Sequence, residues 1–108
     1  MVHAITRAVA AGTAPDDITL CGNYYTPTRT PQQMWDLKTM VLDGAVRLSE
    51  LFGIPFISGK DSSSGTFKTS DGQAIDVPAT FVPSTLCRMK DVTKAVTKPF
   101  ESPGDTIM

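Results

Sequence analysis

Ile54-Pro55-Phe56-Ile57-Ser58-Gly59-Lys60-Asp61-Ser62 decides how this 108-residue chain is read. The apolar run from Ile54 to Ile57 has the length and composition of a buried strand. The residues after it, Ser58 on through Ser63, Ser64 and Gly65, predict a small-residue loop with one cation, one carboxylate and several hydroxyls. Gly59 lets backbone approach a ligand closely, and consecutive N–H groups form a nest for anions. Lys60 suits a phosphate and Asp61 suits Mg²⁺. The same composition also describes an ordinary polar loop, and residue chemistry alone leaves both readings open.

Working back from that stretch, Thr30-Pro31-Gln32-Gln33 opens a helix. Thr30 is the N-cap, Pro31 sits at the first helical position, and Gln33 completes a capping-box pattern. The spacing of Met34, Leu37, Val41, Ala45, Leu48 and Phe52, widened by Met40 and Leu51, predicts a helix to about Phe52 with a core-facing stripe. Gly53 stops it and Pro55 prevents its restart. Trp35, in the first turn, reads as a wall for a site beside the Tyr24-to-Pro27 stretch.

Earlier still, Val2, Ile5, Val9 and Ala10 share a face of a helix over residues 2–11, which Gly12 ends. Pro15-Asp16-Asp17 is a turn, and Ile18 to Cys21 a short strand that Gly22-Asn23 ends. Tyr24 to Pro27 then form an aromatic loop. Beyond the central stretch, Thr66 to Thr69 and Ala74 to Val77 flank Ser70-Asp71-Gly72-Gln73, a hairpin signal. Pro78 to Met89 is a longer strand, which Pro83 places at a sheet edge or gives a bulge. A short turn or helix begins at Lys90-Asp91-Val92. Residues 95–104 form a loop, and Gly104 to Met108 begin a new strand. The order helix, strand, long helix, strand, hairpin, strand is α+β. It predicts a mixed or antiparallel sheet with helices on one face.

Composition narrows the function classes. Ten Lys and Arg against eleven Asp and Glu give a net charge of −1. This argues against nucleic-acid or anionic-membrane binding. No apolar run reaches the length of a membrane span, and no signal-peptide pattern opens the chain. A cytoplasmic protein is expected, with Cys21 and Cys87 as small buried thiols. One histidine, His3, and two distant cysteines make no metal cluster. No Walker loop, G-x-S-x-G or G-x-G-x-x-G occurs.

Taken together in order, the residues carry a resemblance. Gly53-Ile54-Pro55-Phe56-Ile57-Ser58-Gly59-Lys60-Asp61-Ser62, then Val77-Pro78-Ala79-Thr80, then Met89-Lys90-Asp91-Val92, resemble the phosphoribosylformylglycinamidine synthase family. Ala10-Ala11-Gly12 after a helix, Asn23-Tyr24-Tyr25 with Pro27, Trp35 and Gly104-Asp105 extend the likeness over nearly the whole chain. The matching part is the second of two domains that resemble the N-terminal domain of aminoimidazole ribonucleotide synthase. Residues 1–103 would be most of that domain, and residues 104–108 the start of a linker to the next. Both ends thus read as those of a fragment.

The family is an ATP-dependent C–N ligase of purine biosynthesis. It converts formylglycinamide ribonucleotide to formylglycinamidine ribonucleotide with glutamine-derived ammonia. The resemblance implies ATP and Mg²⁺ as cofactors. Its implied partners are the remaining synthase domains and a glutaminase domain or subunit, with homodimerisation of the isolated piece. Some members carry Gly-Asn-Val-Ser in the loop, with glycine at ATP, asparagine at Mg²⁺ and serine at substrate. Carried over, this places Gly59 and Lys60 at ATP, Asp61 or the Lys60 position at the metal, and Ser62 at substrate. The family's catalytic histidine belongs to the other copy, so no catalytic residue is expected here.

A second reading is a truncated, inactive scaffold domain that dimerises. His3 and Arg7 stand where many members have an acidic residue and an asparagine. Leu20 stands where some have an ATP-contacting aspartate. A third reading, an ATP-binding domain related to aminoimidazole ribonucleotide synthase or selenophosphate synthetase but serving another substrate, is disfavoured by Ser58-Gly59-Lys60-Asp61-Ser62.

Overall fold

The computed structural model describes residues 1–97, 99 and 102–104. Its centre is β1, Ile18–Tyr25, flanked by β2, Phe56–Ser62, and β5, Thr80–Cys87. The strand order is β2-β1-β5, with β1 parallel to β2 and antiparallel to β5. A separate two-stranded ribbon pairs β3, Thr66–Lys68, with β4, Ala74–Asp76. Helix α1 is Val2–Ala10. The long helix comprises α2, Pro31–Thr39, a π-helical segment, Met40–Val46, and α3, Arg47–Phe52. The class is α+β with a mixed sheet.

The core is small. Ile5 and Ala8 of α1 close on Ile18 and Leu20 of β1 and on Ile54, with Met1, Phe56 and Cys87 at the margin. Leu20 is wholly buried. The buried face of α1 therefore runs through Ile5 and Ala8. Val2, Val9 and Ala10, expected to share that face, are exposed. Cys21 and Cys87 are free and half-buried rather than fully enclosed. Their registers, Cys21 opposite Ser84 and Ile18 opposite Cys87, put them on opposite faces of the sheet.

Two expected boundaries are corrected by the pairing. β1 does not end at Cys21. It continues through Gly22, Asn23, Tyr24 and Tyr25, so the expected aromatic loop is strand. As the central strand, β1 is hydrogen-bonded on both sides, which overrides the local turn preference of Gly22-Asn23. β2 likewise runs through Ser58, Gly59, Lys60, Asp61 and Ser62, opposite Cys21 to Tyr25 in register. That stretch is an edge strand, not a loop after a buried strand. A register shift falls between Leu20, opposite Phe56, and Cys21, opposite Ser58. Ile57, left between those partners, is 54% exposed. Pro83 lies on β5, the opposite edge, where a residue without an N–H is tolerated.

The long helix starts as its residues dictate. Thr30 Oγ1 accepts from the Gln33 N–H at 3.2 Å, and Gln33 Oε1 accepts from the Thr30 N–H at 3.1 Å. Gly53 ends it at φ +64°. The Gly53 N–H reaches the Glu50 carbonyl at 3.2 Å and the Ile54 N–H the Ser49 carbonyl at 3.1 Å, a Schellman closure. The expected core stripe is not realised. Of its residues only Ala45 is buried, Leu51 is 75% exposed, and Met34 and Phe52 are also open. The π-helical segment is one physical reason. Its i→i+5 bonding, as in the Arg47 N–H to the Leu42 carbonyl, turns later residues out of a 3.6-residue stripe.

The hairpin, the β5 strand and the short helical turn Val92–Lys94, capped by Asp91, form where the sequence predicts them. The strand expected to begin at Gly104 falls largely on residues 105–108, outside the described residues.

Candidate functional site

Where β2 ends, the chain crosses from sheet to ribbon through Ser63-Ser64-Gly65. This crossing borders an open hollow of about 380 Å³, lined by Tyr25, Asp61 to Gly65, and Val77. Thr26 pins the crossing from beneath. Its N–H donates to the Ser62 carbonyl at 3.1 Å, and its carbonyl accepts from the Gly65 N–H at 3.2 Å. Thr28 Oγ1 donates to the Ser63 carbonyl at 2.7 Å. Gly65 has no room for a side chain: a Cβ there would collide with Val77 Cγ2 and crowd the Thr26 backbone. Thr26 is buried, and among the described residues its Oγ1 has no hydrogen-bond partner.

Of the four residues singled out in the sequence, Asp61 and Ser62 reach this hollow and Gly59 and Lys60 do not line it. Gly59 faces Gly22 across the strand pair. A Cβ on Gly59 would stand 2.8 Å from the Gly22 carbonyl oxygen, inside any tolerated contact. Close strand approach therefore accounts for the glycine without a ligand. Lys60 pairs with Asn23 and Asp61 with Tyr24, so their side chains leave opposite faces of β2. Trp35 does not wall the hollow. It is 59% exposed, with Lys38 Nζ 4.5 Å from its ring centre.

Aromatic packing supports the strand that carries Tyr25. Tyr24 stacks on Phe81 with centroids 4.6 Å apart, and Phe56 meets Phe81 at 6.2 Å. Partial burial pushes the Tyr24 phenol pKa above its ordinary value, so Tyr24 stays a neutral packing group.

A polar cluster that the sequence did not single out lies behind the ribbon. Asp76 Oδ1 accepts from Arg29 Nε at 3.1 Å, and Oδ2 from Arg29 Nη2 at 2.7 Å. Gln33 Nε2 donates to Oδ2 at 2.7 Å and Thr66 Oγ1 to Oδ1 at 2.7 Å. Hydrogen bonding from Arg29, then from Thr66, lowers the Asp76 pKa to about 2. The same pair raises the Arg29 pKa. Nothing in the spacing of residues 29, 33, 66 and 76 announces the cluster; it exists only once the hairpin folds against the start of α2.

Among the described residues no group of three or more His, Cys, Asp and Glu side chains could hold a metal. Asp61 is the one carboxylate among the described residues bordering the hollow, at the head of a run of serines. Such a donor set fits Mg²⁺ only when it arrives with phosphates, since Mg²⁺ is commonly shared between one or two carboxylates and substrate phosphates. Among the described residues no helix is long and apolar enough to cross a membrane. No protein-family model matches this chain, and no solved structure matches it.

Proposed function

We propose that the chain is part of an ATP-dependent ligase of the phosphoribosylformylglycinamidine synthase type, contributing one wall of a nucleotide and substrate site. The observation that carries this reading is one open hollow at the end of β2, bordered by Tyr25 and by residues Asp61 to Gly65. A border that offers one carboxylate residue and several hydroxyl residues suits a metal-bound phosphate and a polyol. In this reading Asp61 holds Mg²⁺ accompanying the phosphates, and Ser62 meets the ribonucleotide substrate. Bound Mg²⁺ would neutralise phosphoryl charge.

Gly59 and Lys60 are assigned to ATP in the same reading, from outside the hollow. Among the described residues strand β2 is a sheet edge, so its outer side offers backbone N–H donors, with Lys60 exposed beside them. The hollow is open, and the partners of the reading, further synthase domains and a glutaminase, would supply the remaining walls. With no catalytic residue of its own, the isolated chain is inactive in this account. The finer fold assignment, to the aminoimidazole ribonucleotide synthase type with helices on one sheet face, and a cytoplasmic location belong to the same proposal.

A second reading, an inactive dimerising scaffold, is favoured by a different observation. Val82 and Leu86 stand exposed on one face of β5, and both outer strands of the sheet are open. Calorimetric titration with Mg·ATP separates the two. Heat that is present in the wild type and lost in a Lys60→Ala, Asp61→Ala double variant supports the ligase reading. Absence of heat from both at millimolar ATP supports the scaffold.

A further inference from the structure

One face of the three-stranded sheet is covered and the other is open. Along β5, Thr80, Val82, Ser84 and Leu86 are exposed and the residues between them are half-buried. The register carries this division onto β1: Ile18 and Leu20 turn to the covered face, under α1, and Asn23 and Tyr25 to the open one. The parallel pairing carries it on to β2. Lys60 stands opposite Asn23 and Ser62 opposite Tyr25, so all four side chains share the open face. Asp61, opposite Tyr24, belongs to the covered face.

These four residues make two rows at the carboxyl ends of two parallel strands. β1, the long helix and β2 form one βαβ unit, and open sheets built from such units bind ligands outside the carboxyl ends of their strands. The first row offers an ammonium and a carboxamide, the second a hydroxyl and a phenol. Tyr25 and Ser62 also line the hollow, so the rows open onto it. Among the described residues none of the four side chains has a hydrogen-bond or ion-pair partner. Other hydroxyls of the same face are satisfied locally: Thr19 Oγ1 donates to the Leu86 carbonyl at 3.0 Å and Thr80 Oγ1 to the Pro78 carbonyl at 2.8 Å. Arg29, Arg88, Lys90 and Lys94 each stand beside a carboxylate. Lys60 does not, because the neighbouring Asp61 turns to the other face. Successive residues on one strand face are roughly 7 Å apart, a separation that a phosphate and the hydroxyls of one sugar phosphate span.

We propose that Asn23 and Tyr25 are ligand-binding residues, and that with Lys60 and Ser62 they form a site for a sugar phosphate on the open face of the sheet. Lys60 and the Asn23 amide donate to phosphate oxygens. Ser62 and the Tyr25 phenol take the sugar hydroxyls. Lys60 meets the phosphate charge, so binding requires neither a metal nor Asp61. The choice of a sugar phosphate rests on the ligase reading; the arrangement of the four residues does not. A nucleotide and a ribonucleotide substrate both carry this chemistry.

NMR titration of the labelled full chain tests it, with ribose 5-phosphate and ATP as probes, both without Mg²⁺. At least one of them should shift the Asn23 side-chain amide together with the Lys60 and Tyr25 resonances, and do so saturably; the tighter of the two names the source. Lys60→Gln and Asn23→Thr should each weaken that binding about tenfold or more, as expected for hydrogen bonds to a charged group, and Tyr25→Phe roughly threefold. Asp61→Asn should not weaken it. No shift with either probe overturns the site, as does binding that survives Lys60→Gln intact. Should Asn23→Thr not fold, Lys60→Gln, at an exposed edge position, and the Asn23 amide shift of the wild type decide. The ligase reading fails separately. Metal-free binding through Lys60 and Asn23, with no Mg·ATP binding that depends on Asp61, sinks that reading and leaves this site. Mg·ATP binding lost in Asp61→Asn and kept in Lys60→Gln and Asn23→Thr overturns this site and leaves that reading.

Discussion

At Gly59 the structure adds a packing demand that the sequence does not show. Its lack of a side chain suggests a backbone that approaches a ligand. In the structure the close approach is to the Gly22 carbonyl, 2.8 Å from where a Cβ would stand. Gly59→Ala must push β2 away from β1, a cost of about 1–3 kcal/mol by analogy with overpacked cores. Urea unfolding should show that loss, and an unchanged midpoint would mean that the strands part freely. Gly22 is the matching half of the device, since a Cβ there would meet Phe56 and Phe81 at 3.1 and 3.2 Å. Asp61 and Ser62, singled out for chemistry, do line a common hollow. Their setting, at the end of a paired strand rather than in a free loop, was hidden because Ser, Gly, Lys and Asp individually disfavour strands.

The elements divide by how local their causes are. Thr30, Pro31 and Gln33 fix the start of the long helix within one turn, and Gly53 fixes its end, so both were legible in the sequence. The Asp71-Gly72 hairpin was legible for the same reason; Pro83 implied an edge or a bulge, and the structure puts it on an edge strand. The reach of β1 and β2 was not, because it depends on pairing between segments more than thirty residues apart. The Asp76 cluster depends on the same kind of distant meeting. It also sets an acid response. The Asp76 pKa is lowered to about 2, so its contribution is complete above the ordinary carboxylate range near pH 4 and is lost as pH falls through about 2. Arg29 stays charged throughout, and Gln33 and Thr66 do not titrate. The carboxylate of Asp71, on the same ribbon, is also lowered, chiefly by the Thr69 hydroxyl. Ribbon-specific NMR signals should therefore shift in acid in wild type and in Asp71→Asn. In Asp76→Asn the step attributed to the Asp76 carboxylate should be absent; its persistence there would contradict the assignment.

The whole molecule is long for its size. Its radius of gyration is 18.3 Å, with extents of 58 × 31 × 20 Å, where a compact chain of this length would have roughly 13 Å. The core is a handful of residues on one side of the sheet, while Leu51, Phe67, Leu86 and Trp35 stand open. A chain with this distribution is expected to self-associate or to be covered by further domains. Sedimentation of the isolated chain should give a dimer that dissociates on dilution, and a monomer at high concentration would contradict that. The central claim is that the hollow at the end of β2 receives Mg·ATP, and backbone NMR on the labelled chain tests it most directly. Addition of millimolar Mg·ATP should shift the resonances of Tyr25, Asp61 to Gly65 and Val77, together with the neighbouring Gly59 and Lys60, and leave α1 and β5 in place. Shifts centred elsewhere, or none, would contradict it.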